Sequence, residues 1–243
     1  MEKPIAGRIS SYYQPCPATV AGHREMDVPV VPSPEFHVPD FLDYLATFSW
    51  ALSGALVGMR KRYDFLGMIV VATLSATGGS IIRDGLFLNR TPPVLTDIWY
   101  LPLILIASLA VAFSRRRIVR MPVVETLVMY IDAVGTPAFA IVGMQLALNA
   151  DIPIPGVIVV GFVNGVGGGV LRDVTVQRVP SMLIPGHYTG SALLVVCGVF
   201  LFLTLTLDLS LFPATWGTIG LYFALRALGI RYNLQTRPIL HEM

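Results

Sequence analysis

Charge is what this chain has least of. Only 13% of its 243 residues are Asp, Glu, Lys or Arg, against about 25% in ordinary soluble domains, and the mean hydropathy is +0.69. That shortage excludes a large soluble protein with buried helices, because no polar face remains to cover them. Cysteine is nearly absent: Cys16 and Cys197 define neither a disulfide framework nor a metal site. The histidines, at 23, 37, 187 and 241, stand apart with no partner at ligand spacing, so no metal and no cofactor is expected. The first 38 residues are not expected to act as a cleavable leader, since they hold six prolines and no long apolar run. No serine, cysteine or histidine sits in a nucleophile setting. The stretch Gly165-Val166-Gly167-Gly168-Gly169-Val170 lacks both the last glycine of a dinucleotide fingerprint and the Gly-Lys-Ser/Thr of a P-loop. These absences argue against an enzyme. The basic clusters are short loops between apolar runs, which leaves nucleic-acid binding without support.

Long uncharged runs are what the chain has in abundance. They cover 44–59, 65–82, 98–114, 133–150, 152–171, 188–207 and 209–225. A membrane-crossing helix needs about 20 mostly apolar residues, so the chain reads as an all-α integral membrane protein with seven transmembrane helices. Its arginines and lysines gather in alternate connections: Arg60-Lys61-Arg62, then Arg115, Arg116, Arg117 and Arg120, then Arg172 and Arg178, then Arg226, Arg231 and Arg237. The positive-inside rule turns those connections to the cytoplasm, with the N-terminus outside and the C-terminus inside.

Residues 78–84 read GGSIIRD and residues 167–173 read GGGVLRD, 89 positions further on. The register holds over 43–84 and 132–173, where Asp43/Asp132, Thr47/Thr136, Gly54/Gly143, Gly78/Gly167, Gly79/Gly168, Arg83/Arg172 and Asp84/Asp173 coincide. This is an internal duplication. Each copy holds three spans, and an odd number reverses the second copy, so the two form inverted-topology repeats of the kind common in proteins that move solutes. The expected division is an irregular Pro-rich tail (1–38), repeat 1 (39–118), repeat 2 (119–207), a seventh span (208–228) and a C-terminal tail (229–243).

Three sets of residues are candidate functional positions. Glycine disfavours a helix interior by about 1 kcal/mol relative to alanine, yet Gly78-Gly79-Ser80 and Gly167-Gly168-Gly169 lie inside spans. They suit either tight helix packing or a break that lines a cavity and offers carbonyls to a cation; the paired placement favours a break. On that reading Gly168→Leu fills the narrow region, leaves insertion intact and raises thermal stability. Arg83 and Arg172 follow about one helical turn later and must meet water, a partner or lipid headgroups; they are candidate gate residues facing a cavity or bound lipid. Asp84 and Asp173, about 100° round a helix from them, are not automatic partners and are candidate lipid or interface anchors. Asp43 and Asp132 open spans one and four, with Asp132 the deeper, as pore charges or helix-start charges. Small residues on the same spans (Ala46, Ser53, Gly54; Gly135, Ala140, Gly143) suit a close helix seam between subunits.

A seven-span chain with two three-span units, each ending on Gly-Gly-Gly-x-x-Arg-Asp or a close variant, resembles the prokaryotic trimeric intracellular cation (TRIC) channels. The similarity runs over about 43–228 and rests on GGSIIRDGLFLNRTPP, DIWYL and GGGVLRDV; Ser80 departs from the third glycine. The resemblance implies a homotrimer in membrane lipid, each protomer with its own pore for K+ and Na+ between the repeats, kinked at the span-two and span-five glycines, with spans one and four at the trimer seam. It also implies a bacterial plasma membrane. The same domain is linked with glycine uptake in some bacteria, which makes a small-solute carrier the alternative; a non-conducting scaffold that binds lipid or partners is a third.

Overall fold

The computed structural model describes residues 40–114, 123–183 and 189–232. The Pro-rich tail with Cys16, the cluster Arg115–Arg117 with Arg120, Arg237, and all four histidines lie outside the described residues. Among those described there are eight α-helices: α1 (Asp40–Arg60), α2 (Phe65–Ile82), the single-turn α3 (Pro93–Thr96), α4 (Tyr100–Phe113), α5 (Val123–Asn149), α6 (Ile154–Thr175), α7 (Thr189–Leu201) and α8 (Leu211–Arg231). Two π-helical turns extend this set, Arg83–Phe87 after α2 and Phe202–Thr206 after α7.

The chain writes its own helix boundaries. Asp64 caps α2 by accepting a hydrogen bond from the Gly67 amide at 2.7 Å. Prolines stand before or in the first turns of α6 and α8, where their missing N–H costs nothing. Arg62 and Asp151, 89 positions apart, both take positive φ (61° and 55°) in the turns that end α1 and α5. The duplication is therefore visible in the turns as well as the helices.

The fold is an all-α membrane architecture of two inverted three-helix repeats and a seventh helix. Five helices are long and apolar enough to cross a membrane: α1, α2 with its π turn, α5, α6, and α7 with its π turn. The third span is shorter than the uncharged run 98–114 suggests. Residues 98–99 lie in a turn and Ser114 is extended, which leaves 14 helical residues in α4. The last helix, α8, has 21 residues, carries Arg226 and ends on Arg231, and is not one of the five. Helices α1, α2 and α4 pack together, as do α5, α6 and α7. The two units join along α2–α6 and α1–α5, and α8 lies against α5 and α7.

The small residues expected at a trimer seam are inside the protomer instead. Ala46, Ser53 and Ala140 are buried. A Cβ on Gly54 would meet Ser75 at 2.7 Å, and one on Gly143 would meet Asn164 at 2.8 Å. Gly135 packs on Trp50. With lipid supplying no hydrophobic drive between helices, such residues let backbones approach, and here they join helices of one chain.

Candidate functional site

Helices α2 and α6 cross antiparallel where the two glycine clusters meet. A Cβ on Gly79 would run into the Asn164 carbonyl oxygen, and one on Gly168 into the Ser75 carbonyl. These contacts are related by the 89-residue repeat, so the pseudo-two-fold axis passes between the two helices. Gly167 faces the Gly79 Cα, and Gly78 faces Leu171 and Gly168. Neither helix is broken: both run as continuous α-helix through their clusters. The break that the sequence favoured is thus replaced by the closest kind of packing. A leucine at 168 would have to displace backbone, so the expected gain in stability becomes a loss. Ser80, buried, donates to the Thr77 carbonyl at 2.8 Å. Its counterpart Gly169 leaves room for the edge of the Trp50 ring.

Antiparallel crossing sends Arg83 and Arg172 to opposite ends of the pair. At its end, Arg172 donates from Nε to Asp173 Oδ1 (2.9 Å) and from Nη1 to Ser53 Oγ (2.5 Å) and to Asp132 Oδ2 (2.9 Å). Its guanidinium carbon stands 5.4 Å from the Trp50 ring centroid, within the range of a cation–π contact. The Ser181 amide completes Asp173 from the loop at 3.1 Å. Beside this network α1, α5, α6 and α8 enclose a cavity of about 440 Å³, whose lining includes Asp132, Thr136, Gly169, Arg172, Tyr222 and Arg226. Glu125 and Arg60 stand at its rim, paired at 2.8 Å.

The other end is sealed. Arg83 and Asp84 are both 0% exposed and form a two-pronged pair, Nε to Oδ1 at 2.8 Å and Nη2 to Oδ2 at 2.6 Å. Arg90 adds a bond from its Nε to Asp84 Oδ1 at 2.7 Å. Asp43 accepts from the Tyr100 hydroxyl, and Asp97 accepts from the Tyr44 hydroxyl at 2.5 Å. The rings of Tyr44 and Tyr100 meet edge to face at 5.8 Å.

Asp84 and Asp173 are consequently not lipid anchors. Each is buried and holds the arginine beside it in sequence, because long arginine side chains fold back across the 100° between neighbouring positions. Arg83 is fully buried, with no surface turned to lipid, whereas Arg172 lines the cavity. The structure joins Asp132 to Arg172 but does not join Asp43 to Arg83, which sequence spacing could not distinguish.

Several contributors escaped the sequence reading: Tyr100, Tyr44, Asp97, Arg90, Trp50 and Asn164; Ser53 was read only as a small residue of a helix seam. The π turn after α2 explains Arg90. It inserts one residue, so the Arg90 amide reaches back to the Asp84 carbonyl, whereas the Arg178 amide reaches the Asp173 carbonyl. Arg90 is therefore the counterpart of Arg178, one step off the 89-residue register. Asn89 and Gln177, just before them, both take positive φ.

The family model described as Glycine transporter matches residues 40–116 and again residues 129–205. The chain belongs to that family. Each match falls on one three-helix unit. Among curated members, a UPF0126 membrane protein of Deinococcus radiodurans is 35% identical over 59% of this chain and 65% of its own length. The chain thus spans somewhat under two thirds of that relative. The UPF0126 inner membrane protein YadS of Escherichia coli K12 is 30% identical over 63% of this chain and 73% of its own. A UPF0126 membrane protein of Vibrio cholerae is 29% identical over 79% of both. Among solved structures, a TRIC cation channel studied for its conductance has a TM-score of 0.72 and 29% identity, covering 85% of this chain and 100% of that one. The TRIC trimeric intracellular cation channel orthologue of Rhodobacter sphaeroides gives 0.72 and 27%, covering 80% and 98%. The family is therefore one of membrane proteins with the TRIC cation channel fold.

Proposed function

We propose that the chain forms a homotrimer in a bacterial plasma membrane, with the N-terminus outside, and that each protomer passes K+ and Na+ along its own pathway between the two repeats. The pathway enters through the cavity at Arg172, meets its narrowest part at the crossing of α2 and α6, and leaves past Arg83. One observation carries this reading: a charged cavity of about 440 Å³ reaches Gly169, beside the glycine crossing, in a fold shared with TRIC cation channels. Ionisable groups at such depth mark ion or solute paths, because hydrocarbon does not solvate them. The glycines hold α2 and α6 at their closest approach, so a small shift between two bare backbones there opens or shuts the way. The pathway is shut at Arg83, and the account is of a closed state. The domain division expected from sequence, 39–118 and 119–207 around that crossing, belongs to the same proposal.

A second reading, a carrier for a small zwitterion such as glycine, is favoured by the cavity's access to one end only and by the family's description. The two readings separate in one preparation. Purified protein in a planar bilayer with symmetric KCl is expected to show stepwise currents carrying many ions per opening. Proteoliposomes that accumulate labelled glycine without any such steps would replace the channel by the carrier.

A further inference from the structure

The two parts of α5 have opposite surroundings. Every residue from Gly135 to Gln145 is buried, whereas none from Glu125 to Asp132 is. The change falls beside Pro137, in the middle of this 27-residue helix. The other prolines in described helices lie in first turns, where a missing N–H costs nothing. At 137 the same lack leaves the Ala133 carbonyl without its helical donor, and the ring crowds that carbonyl. Sharp bends in helices gather at such points. The repeat places Phe48 at the matching point of α1, so this joint belongs to one half alone. Helix α6 bears on α5 there. A Cβ on Gly165 would meet the Thr136 carbonyl oxygen at 2.9 Å and the Ala140 Cβ at 3.1 Å, which puts a fulcrum on both sides of the proline.

All the α5 residues that line the cavity precede Pro137: Val124, Glu125, Val128, Met129, Asp132 and Thr136. The anchored part of the helix therefore carries the packing, and the other part carries the cavity wall. That wall is lightly held. Val128 packs on the small cluster of Val57, Val71 and Val176, and the Tyr130 ring lies 6.0 Å from that of Phe223 on α8. At the far end Glu125 pairs with Arg60 of α1 at 2.8 Å, with side chains 56% and 32% exposed. A bridge this exposed is weak and screened by salt. Few buried apolar contacts and an exposed fastening mark a segment that opens locally while the rest stays folded.

We propose that residues 124–136 are a wall that swings about Pro137 and sets how widely the cavity opens to the face on which α5 begins, with Arg60–Glu125 as its latch. Helix geometry decides which contacts survive the swing. Glu125 lies about three turns from the joint and moves most; Asp132, little more than one turn away, stays near Arg172. The floor of the cavity thus keeps its ion pair while the rim widens. That the wall regulates ion entry rests on reading the cavity as the entrance of the proposed pathway.

Side-resolved cysteine labelling tests the wall on the full chain. With Cys16 and Cys197 replaced by alanine, a single cysteine is placed at Val166, which lines the cavity from α6 and does not move with α5. A membrane-impermeant cationic thiosulfonate is applied to either side of sealed vesicles. Glu125→Gln is expected to speed the reaction by about two- to fivefold, the range open to an exposed bridge. Arg60→Gln, which parts the same latch from α1, should match it. Pro137→Ala returns the donor to the Ala133 carbonyl and is expected to slow the reaction by about threefold or more. One rate in all four proteins, or no reaction from either side in any of them, overturns the swinging wall. Slower labelling in Pro137→Ala with potassium currents equal to the parent's keeps the wall and overturns the cavity's place on the pathway.

Discussion

Arg83 and Arg172 occupy the same place in two copies of one unit, each a turn beyond a glycine cluster and each paired with the aspartate that follows it. Around Arg172 the chain leaves a cavity of about 440 Å³; Arg83 and Asp84 are fully buried. The glycine contacts obey the repeat almost atom for atom, so the difference does not arise at the crossing. It arises at the ends, from a handful of side chains that the duplication did not preserve: Tyr100 against Thr189, Gln145 against Leu56, and a one-residue π insertion that brings Arg90 onto Asp84. Common packing at the centre with divergent polar contacts at the rims is how one fold unit can be shut on one side and open on the other.

The largest effect is expected where the halves agree. Gly79→Leu and Gly168→Leu each push a side chain into a carbonyl of the facing helix; overpacking that side chains can absorb costs about 1–3 kcal/mol, and here two helix backbones must part, a loss well beyond that range. Both variants should lose most of their folded protein in detergent, by size-exclusion yield and thermal melting. Equal damage supports the two-fold crossing; one tolerated substitution breaks it.

A step lower stands Arg172→Ala. It removes the partner of two carboxylates, Asp132 and Asp173, and uncovering a buried ion pair costs about 3–5 kcal/mol, less where the cavity lets water reach Asp132. The double variant Arg172→Ala with Asp132→Asn should recover part of that loss in a thermal-melt cycle. Arg83→Ala should cost less than its burial suggests, because Asp84 keeps Arg90. Equal losses at both arginines would show that Arg90 holds nothing.

Weaker still is Tyr222→Phe, which gives up a long 3.4 Å bond to the Thr189 carbonyl and should shift stability by about 1 kcal/mol or less. The smallest change belongs to Glu125→Gln at the cavity rim. Its pair with Arg60 is half exposed, and such bridges contribute about 0–1 kcal/mol. A melt within error of the parent is the expected result.

Much of this was legible in the sequence, for reasons that differ by residue. The duplication, the Arg-Asp pairs and the glycine clusters are local signals in a fixed register, and they led to the right fold and marked the two helices, α2 and α6, that meet at their glycines. What glycine does at the crossing was not legible, since packing and breakage leave the same residue in the same place; only the facing carbonyls of Ser75 and Asn164 decide it. Small residues at 46, 53, 54, 135, 140 and 143 announce close approach without saying to which helix, and the partner turned out to lie in the same chain. Arg90 was hidden because a π turn shifts the register by one just beyond Asp84. Tyr100 and Asp43 are 57 positions apart, and no periodicity links them.

The most direct test of the contrast between the halves is single-channel recording in symmetric KCl with the parent beside Arg90→Gln and Arg178→Gln. These arginines are counterparts, but only Arg90 is latched, to Asp84 at 2.7 Å. The account predicts stepwise potassium currents whose open probability rises at least several-fold in Arg90→Gln and stays near that of the parent in Arg178→Gln. Equal open probability in both variants, or currents absent from all three proteins although each is folded, would contradict it.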